Sequence, residues 1–90
     1  MDFEFDRDKA VANLKKHGVS FHEALAAILD PQALAQENKD SFDENRWILL
    51  GMSKLDRLLV VIYTLRADSI RLISARKATG KESKEYARRI

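Results

Sequence analysis

From residue 46 to residue 77 the chain passes through three segments, 46–52, 57–65 and 69–77. All are rich in Ile, Leu, Val and aromatic residues, and none has a helical repeat. Such side chains suit a pleated, half-buried surface, so each segment is expected to be a strand. The gaps 53–56 and 66–68 decide how the strands connect. A parallel crossover needs about a dozen residues or more, whereas a hairpin needs only a few. The second half of the chain is therefore constrained to an antiparallel meander, which must bury at least one face against something else.

The first third supplies that cover. Residues 2–5 alternate polar and aromatic side chains, as a short strand would. Asp6 is placed to cap a helix by accepting an orphan backbone N–H. That helix carries Ala10, Val11 and Leu14 on the face expected to meet the core, and it stops at Gly18, where a left-handed conformation carries no Cβ penalty. A second helix starts at once. Ser20 and Glu23 have capping-box spacing, with Val19 and Ala24 as a hydrophobic staple. Phe21, Ala24, Leu25 and Ile28 recur at helical spacing until Asp30-Pro31, where proline disfavours helical geometry in the residue before it.

Residues 32–45 are polar, with a short strand expected at 33–36 and an exposed loop over 38–44. Thr79 and Glu82 repeat the capping-box spacing and open a basic helix running to residue 90, with Tyr86, Ala87 and Ile90 as anchors on the sheet. The expected order is β-α-α-(β)-β-β-β-α. This is one α+β domain over residues 1–90, with two N-terminal helices, a three- to four-stranded antiparallel sheet and a C-terminal helix. Ninety residues leave no room for a second core.

Several chemistries are excluded. With no cysteine there is no disulfide framework, thiol nucleophile or Cys-based metal site. His17 and His22 are not spaced as ligands with carboxylates, no serine sits in a nucleophile elbow, and the three glycines are isolated rather than forming a phosphate loop. No metal and no cofactor is expected. The acidic N-terminus lacks the order of a signal peptide, and the longest apolar run, 58–63, is far too short to span a bilayer, so a cytoplasmic protein without membrane contact is expected.

Cations remain. Residues 1–65 hold eight Lys/Arg and eleven Asp/Glu, net −3, whereas residues 66–90 hold eight and three, net +5. This asymmetry can mark a polyanion-binding face, but charge alone favours a solvated basic helix. Strand alternation places Arg71 with Ile73 and Ala75, and Arg76 with Leu72 and Ser74. Guanidinium forks match phosphate oxygens, and RNA cleavage without a metal needs a base for the 2′-hydroxyl, cations for the transition state and an acid for the leaving oxygen. Imidazole titrates nearest neutrality among side chains, which makes His17 the best acid or base on paper. A residue just before a helix-ending glycine also commonly does no more than cap carbonyls.

The local patterns fall in a recognisable order. Phe5-Asp6, Lys9, Asn13, Lys16-His17-Gly18-Val19-Ser20-Phe21 and Glu23-Ala24 open it. Arg46, Gly51, Leu58-Leu59-Val60-Val61 and Tyr63-Thr64 form the middle, and Arg71, Ile73-Ser74-Ala75-Arg76-Lys77-Ala78-Thr79, Glu82 and Tyr86 close it. In this the chain closely resembles the BrnT family of type II toxins, departing from the pattern at Leu65 and Gly80. The resemblance implies a RelE-like α+β fold and a ribonuclease that inhibits translation. It also implies neutralisation by a BrnA-like ribbon-helix-helix antitoxin, through which alone promoter DNA would be bound. It nominates His17, Lys16, Arg46 and Arg76 as catalytic, and Arg71, Lys77, Arg66 and Tyr63 as substrate-binding, with RNA as substrate and no metal. Two other readings stand beside it. One is a catalytically degenerate module that binds the antitoxin or acts as corepressor. The other is a lone DNA-binding regulator, disfavoured because the second helix offers His22 and Glu23 but no Arg or Lys.

Overall fold

The structure is a computed structural model and describes residues 2–38 and 45–88. Element order is β1 (Asp2–Glu4), α1 (Arg7–His17), α2 (Phe21–Ile28), β2 (Leu34–Asn38), β3 (Arg46–Met52), β4 (Leu58–Arg66), β5 (Ser69–Lys77) and α3 (Gly80–Arg88). The strands form one sheet in the order β1-β5-β4-β3-β2. The expected meander is present, with β2–β3, β3–β4 and β4–β5 antiparallel. The expected strand count and the all-antiparallel sheet need correction. The sheet has five strands and is mixed, because β1 returns to pair parallel with β5, Asp2 opposite Ser69. Three residues carry too little pattern to name a partner at the far end of the chain. β2 runs to Asn38 rather than ending at residue 36. The expected loop over 38–44 lies outside the described residues beyond Asn38, as does the helix end at residue 90.

The helices occupy both faces of the sheet. α1 and α2 cover one face, where Val19, Phe21, Ala24 and Ala27 pack with Leu49, Leu59 and Val61. α3 lies on the other, where Tyr86 packs with Leu50 and Val60. Adjacent strand residues such as Leu49 and Leu50, or Val60 and Val61, thus serve different cores. A Cβ at Gly51 would overlap the carbonyl oxygen of Ala27, so glycine there lets α2 lie directly on β3.

Strand β5 departs from simple alternation. Ile62 pairs with Ser74 but Tyr63 pairs with Leu72, leaving Ile73 unmatched in a β-bulge. The extra residue returns both Leu72 and Ala75 to the helix-side core, although they are three apart. The expected grouping of Arg71 with Ala75, and of Arg76 with Leu72, is therefore corrected. Arg71 lies opposite Thr64 and Arg76 opposite Val60, so both share the face away from α1 and α2.

α1 also differs from its expected face. Asp6 caps it, accepting from Asp8 N at 2.8 Å, and Gly18 ends it at φ 69°. Yet Val11 and Leu14 are about half exposed, and the one buried residue of the helix is Asn13. The Asn13 Nδ2 donates to Ala75 O at 2.9 Å and to Val19 O at 2.9 Å, and its Oδ1 accepts from Ala75 N at 3.1 Å. β1 pairs with β5 only as far as Arg71, so beyond it the Asn13 amide does for Ala75 what a neighbouring strand would do.

Candidate functional site

The sheet register sorts the nominated cations. On the face bearing α3, one cross-strand row reads Asn38, Arg46, Thr64, Arg71 and Glu4. A second row reads Leu34, Leu50, Val60 and Arg76. Val60 and Thr64 are four residues apart on β4, which at strand rise separates the rows by about 13 Å. Arg46, Arg71 and Arg76 therefore share a face but do not converge on one point.

Arg76 is engaged by α3. Its Nη1 and Nη2 donate to Glu82 Oε1 and Oε2, each at 2.9 Å, and Nη1 also reaches Lys77 O at 3.2 Å. Glu82 completes the expected capping box as well. Its Oε1 accepts from Thr79 N at 2.8 Å while Thr79 Oγ1 accepts from Glu82 N at 3.2 Å. One carboxylate thus fixes both the start of α3 and the orientation of Arg76. A cleft of about 520 Å³ opens beside this pair, floored by Leu34, Ile48, Leu50 and Val60 and edged by Gln36 and Glu85. At the far end of α3, Tyr86 donates its hydroxyl to Asp30 Oδ2, which also accepts from Met52 N at 2.8 Å.

These contacts set a pH dependence. The Arg76 guanidinium, helped by Thr79 and opposed by burial, holds the Glu82 carboxyl down at about 2 from an ordinary 4.5. For Asp30, burial works against the charge, but hydrogen bonds from Tyr86 and from the Met52 and Gln32 amides leave it below the ordinary value. Donation to Asp30, with burial, pushes the Tyr86 phenol up to about 12 from 10.0. A carboxyl lowered on folding stabilises the fold fully above its unfolded pKa, and that stabilisation is lost as pH falls through the folded value. A phenol raised on folding stabilises below its unfolded pKa, and loses that effect as pH rises through the folded one. Urea midpoints are thus expected to hold level between about pH 5 and 9.5, fall toward pH 2 and fall again toward pH 12. Glu82→Gln should flatten the acid limb. An unchanged limb would mean that the Arg76–Glu82 pair does not hold α3 in place.

His17 and Lys16 lie on the other side of the sheet, in the last turn of α1. The corner after them is pinned by Arg57, whose Nη2 donates to Gly18 O at 3.1 Å. Arg57 Nε donates to Glu23 Oε2 at 2.8 Å, its Nη2 to Oε1, and Ser53 Oγ to Oε2 at 2.7 Å. Glu23 is therefore only half of the expected capping box. Ser20 Oγ accepts from Glu23 N at 3.0 Å, but the Glu23 side chain turns to Arg57 instead of back to Ser20. Arg57 and then Ser53 hold the Glu23 carboxyl below its ordinary value against burial, with Lys77 adding a weaker pull. α1 passes Ala75 at Asn13 and meets Arg57 at Gly18. The corner thus lies at the end of the sheet where β4 begins and β5 finishes, the end that carries Arg76 and Lys77.

The nominated residues fall into three groups. His17, Lys16 and Lys77 lie at that end on the helix side, and Arg76 lies at the same end on the α3 side. Arg46, Arg71 and Arg66 lie at the opposite end, where Arg66 closes β4 opposite Ser69. Among the described residues, no hydrogen bond joins His17 to any arginine. Tyr63 belongs to no group. It is 7% exposed within the helix-side core, where burial raises its pKa, so it faces away from the arginines and presents no platform to a substrate. Three residues take parts that the sequence does not assign them. Arg57, one of the candidate cations, pins the corner. Glu82, expected only to cap α3, also holds Arg76, and Thr64, expected only as part of the Tyr63-Thr64 piece, is 3% exposed with its hydroxyl unbonded.

Among the described residues, no helix is long and apolar enough to cross a membrane. A search of curated proteins found no match. Among solved structures, the chain is similar to the crystal structure of the ribonuclease toxin BrnT from Brucella abortus. The TM-score is 0.61 and the identity 22%, covering 88% of this chain and 97% of that one. At that identity the likeness shows a shared fold. The sequence-family model that matches, over residues 5–82, describes the ribonuclease toxin BrnT of a type II toxin–antitoxin system. With nearly the whole chain matched and the same fold present, this chain belongs to the BrnT family of type II toxin–antitoxin ribonuclease toxins.

Proposed function

We propose that this chain is a metal-independent RNA endonuclease that arrests translation in the cytoplasm until a BrnA-like ribbon-helix-helix antitoxin binds it. One observation carries most of this reading. The end of the sheet where β5 finishes carries Lys16, His17 and Lys77 on its helix side and Arg76 on its α3 side. On this reading a scissile phosphate bound across that end meets a guanidinium fork, ammonium groups and an imidazole. The 2′-oxygen of the preceding ribose attacks phosphorus while a proton leaves it for the base. The bond from phosphorus to the 5′ oxygen breaks, and that oxygen takes a proton from the acid. A 2′,3′-cyclic phosphate and a 5′-hydroxyl result. His17 and Lys16 supply the proton transfers, and Arg76 and Lys77 the charge stabilisation. The antitoxin neutralises the toxin by covering the arginine-bearing sheet face, and the pair reaches promoter DNA through the antitoxin.

A second reading has its own support. Both Nη atoms of Arg76 are already held by Glu82, as they would be in a degenerate toxin kept only to bind its antitoxin. Cleavage of a labelled RNA in EDTA, with and without the protein encoded beside this chain, separates the two. Cutting that the neighbour suppresses is the expected result. Binding of the neighbour with no cleavage of free or ribosome-bound RNA would establish the second reading.

A further inference from the structure

The row at the far end of the sheet contains two groups that fold stability does not explain. Thr64 is 3% exposed, and its Oγ1 has no hydrogen-bond partner. A buried hydroxyl left unbonded is unfavourable, and native folds contain few of them. Directly opposite it on β3 is Arg46, which is half-buried and whose side chain forms no hydrogen bond or ion pair among the described residues. Directly opposite on β5 is Arg71, whose one ionic contact among the described residues is a long one, Nη1 to Glu4 Oε1 at 3.5 Å.

Residues opposite one another on neighbouring strands point to the same face, and two strand spacings put the arginine Cα atoms about 10 Å apart. Two arginines thus stand in register on either side of one hydroxyl, and among the described residues one carboxylate, Glu4, pairs with either of them. An oxyanion that enters between the two arginines would bond to both and, in displacing what now covers the buried Thr64 oxygen, would give that hydroxyl an acceptor to donate to.

We propose that Arg46, Thr64 and Arg71 form a second phosphate site, which grips the RNA backbone away from the scissile phosphate. The proposal rests on the nuclease reading for its ligand, since the phosphodiester belongs to the RNA, and it moves Arg46 from catalysis to binding. About 13 Å of strand separates this row from the Arg76 row, so the two sites act on different phosphates of one RNA strand. The apolar stretch between them, including Ile48 and Ile62, is where the intervening nucleotides pass.

The test uses the full chain, a fluorescent 2′-O-methyl oligoribonucleotide that cannot be cleaved, and inorganic phosphate as a second probe. Thr64→Val keeps the shape and removes the hydroxyl. It should weaken oligonucleotide binding about three- to tenfold without changing the salt slope, since no charge is lost. Its melting temperature without ligand should equal or exceed that of the parent. Arg46→Gln should weaken binding and lower the slope of log affinity against log salt by about one. Phosphate at low ionic strength should raise the melting temperature of the parent more than that of either variant.

Parent-like binding of both probes by both variants overturns the proposal. So does a lower melting temperature of Thr64→Val, which would make the hydroxyl a structural bond. If phosphate discriminates the variants while the parent binds no oligonucleotide, the anion site stands and the nuclease reading falls.

Discussion

Arg76→Ala is expected to lower RNA cleavage by about 10²–10³-fold, the usual effect of removing one preorganised donor from a charged transition state. The fold should survive, because Thr79 and Glu82 still close the α3 capping box and Tyr86 still reaches Asp30. The pair with Glu82 makes the result diagnostic. If Arg76 serves only to hold α3, then Glu82→Gln should lower the urea midpoint as Arg76→Ala does, with no gain in cleavage by the chain. If Arg76 serves the phosphate, Glu82 competes with it, and Glu82→Gln should keep cleavage or raise it severalfold. Arg76→Lys should fall between parent and Arg76→Ala, since an ammonium keeps the charge and loses the fork. Initial rates on labelled RNA and on translating ribosomes, read beside urea midpoints, decide the matter. Cleavage by Arg76→Ala within threefold of the parent would remove Arg76 from the site.

Asn13→Ala should have the largest effect on stability, about 3–5 kcal/mol, because it strips partners from three buried backbone groups at once. Those groups are the N–H and C=O of Ala75 and the C=O of Val19. No water-exposed alternative offers itself, since Ala75 and Val19 are both fully buried. At roughly 4–8 °C per kcal/mol for a domain of this size, the melting temperature should fall by about 15 °C or more. Asn13→Asp keeps the acceptor for Ala75 N but loses both donations, so it should recover little. A melting temperature within about 4 °C of the parent for Asn13→Ala would show that the β5 edge needs no cover, against the accounting of buried backbone groups.

Much of the local architecture was legible because it depends on neighbours in sequence. Asp6, Gly18, Ser20 and the Thr79–Glu82 pair mark helix ends within a few residues, and all act as their spacing implies. The hairpins were legible for the same reason: gaps of a few residues leave a chain no other connection. The α1 face was misread because Val11 and Leu14 satisfy a helical apolar pattern, while Asn13 is buried for a reason located at Ala75. A hydrophobicity pattern gives no weight to an amide that completes a sheet edge. The faces of β5 were misread because alternation assumes no extra residue, and the bulge at Ile73 turns Arg76 onto the side shared with Arg71.

The nominated site shows the same division. Arg76, Lys77 and His17 stand in the pieces that carry the family resemblance, and imidazole is also the side chain best suited to acid–base work near neutrality. Their placement at one end of the sheet depends on Arg57 reaching Gly18 and Asn13 reaching Ala75, contacts that span 39 and 62 residues. Thr64 stands in the sequence only as part of the Tyr63-Thr64 piece of the family pattern, with no role attached. It became informative only through its burial and through the cross-strand pairs that put an arginine on each side.

By itself, the sequence determined where the three helices start and where the first two end, the meander, the α+β class and the family resemblance, because caps, turns and periodicities are short-range effects read within a few residues. Only the tertiary structure decided three things. It joined β1 to β5, it set α3 on the face opposite α1 and α2, and it split the cations between two ends of one sheet. These follow from register, a bulge and a handful of buried polar contacts between segments far apart in the chain, and those energies exist only once the segments have met.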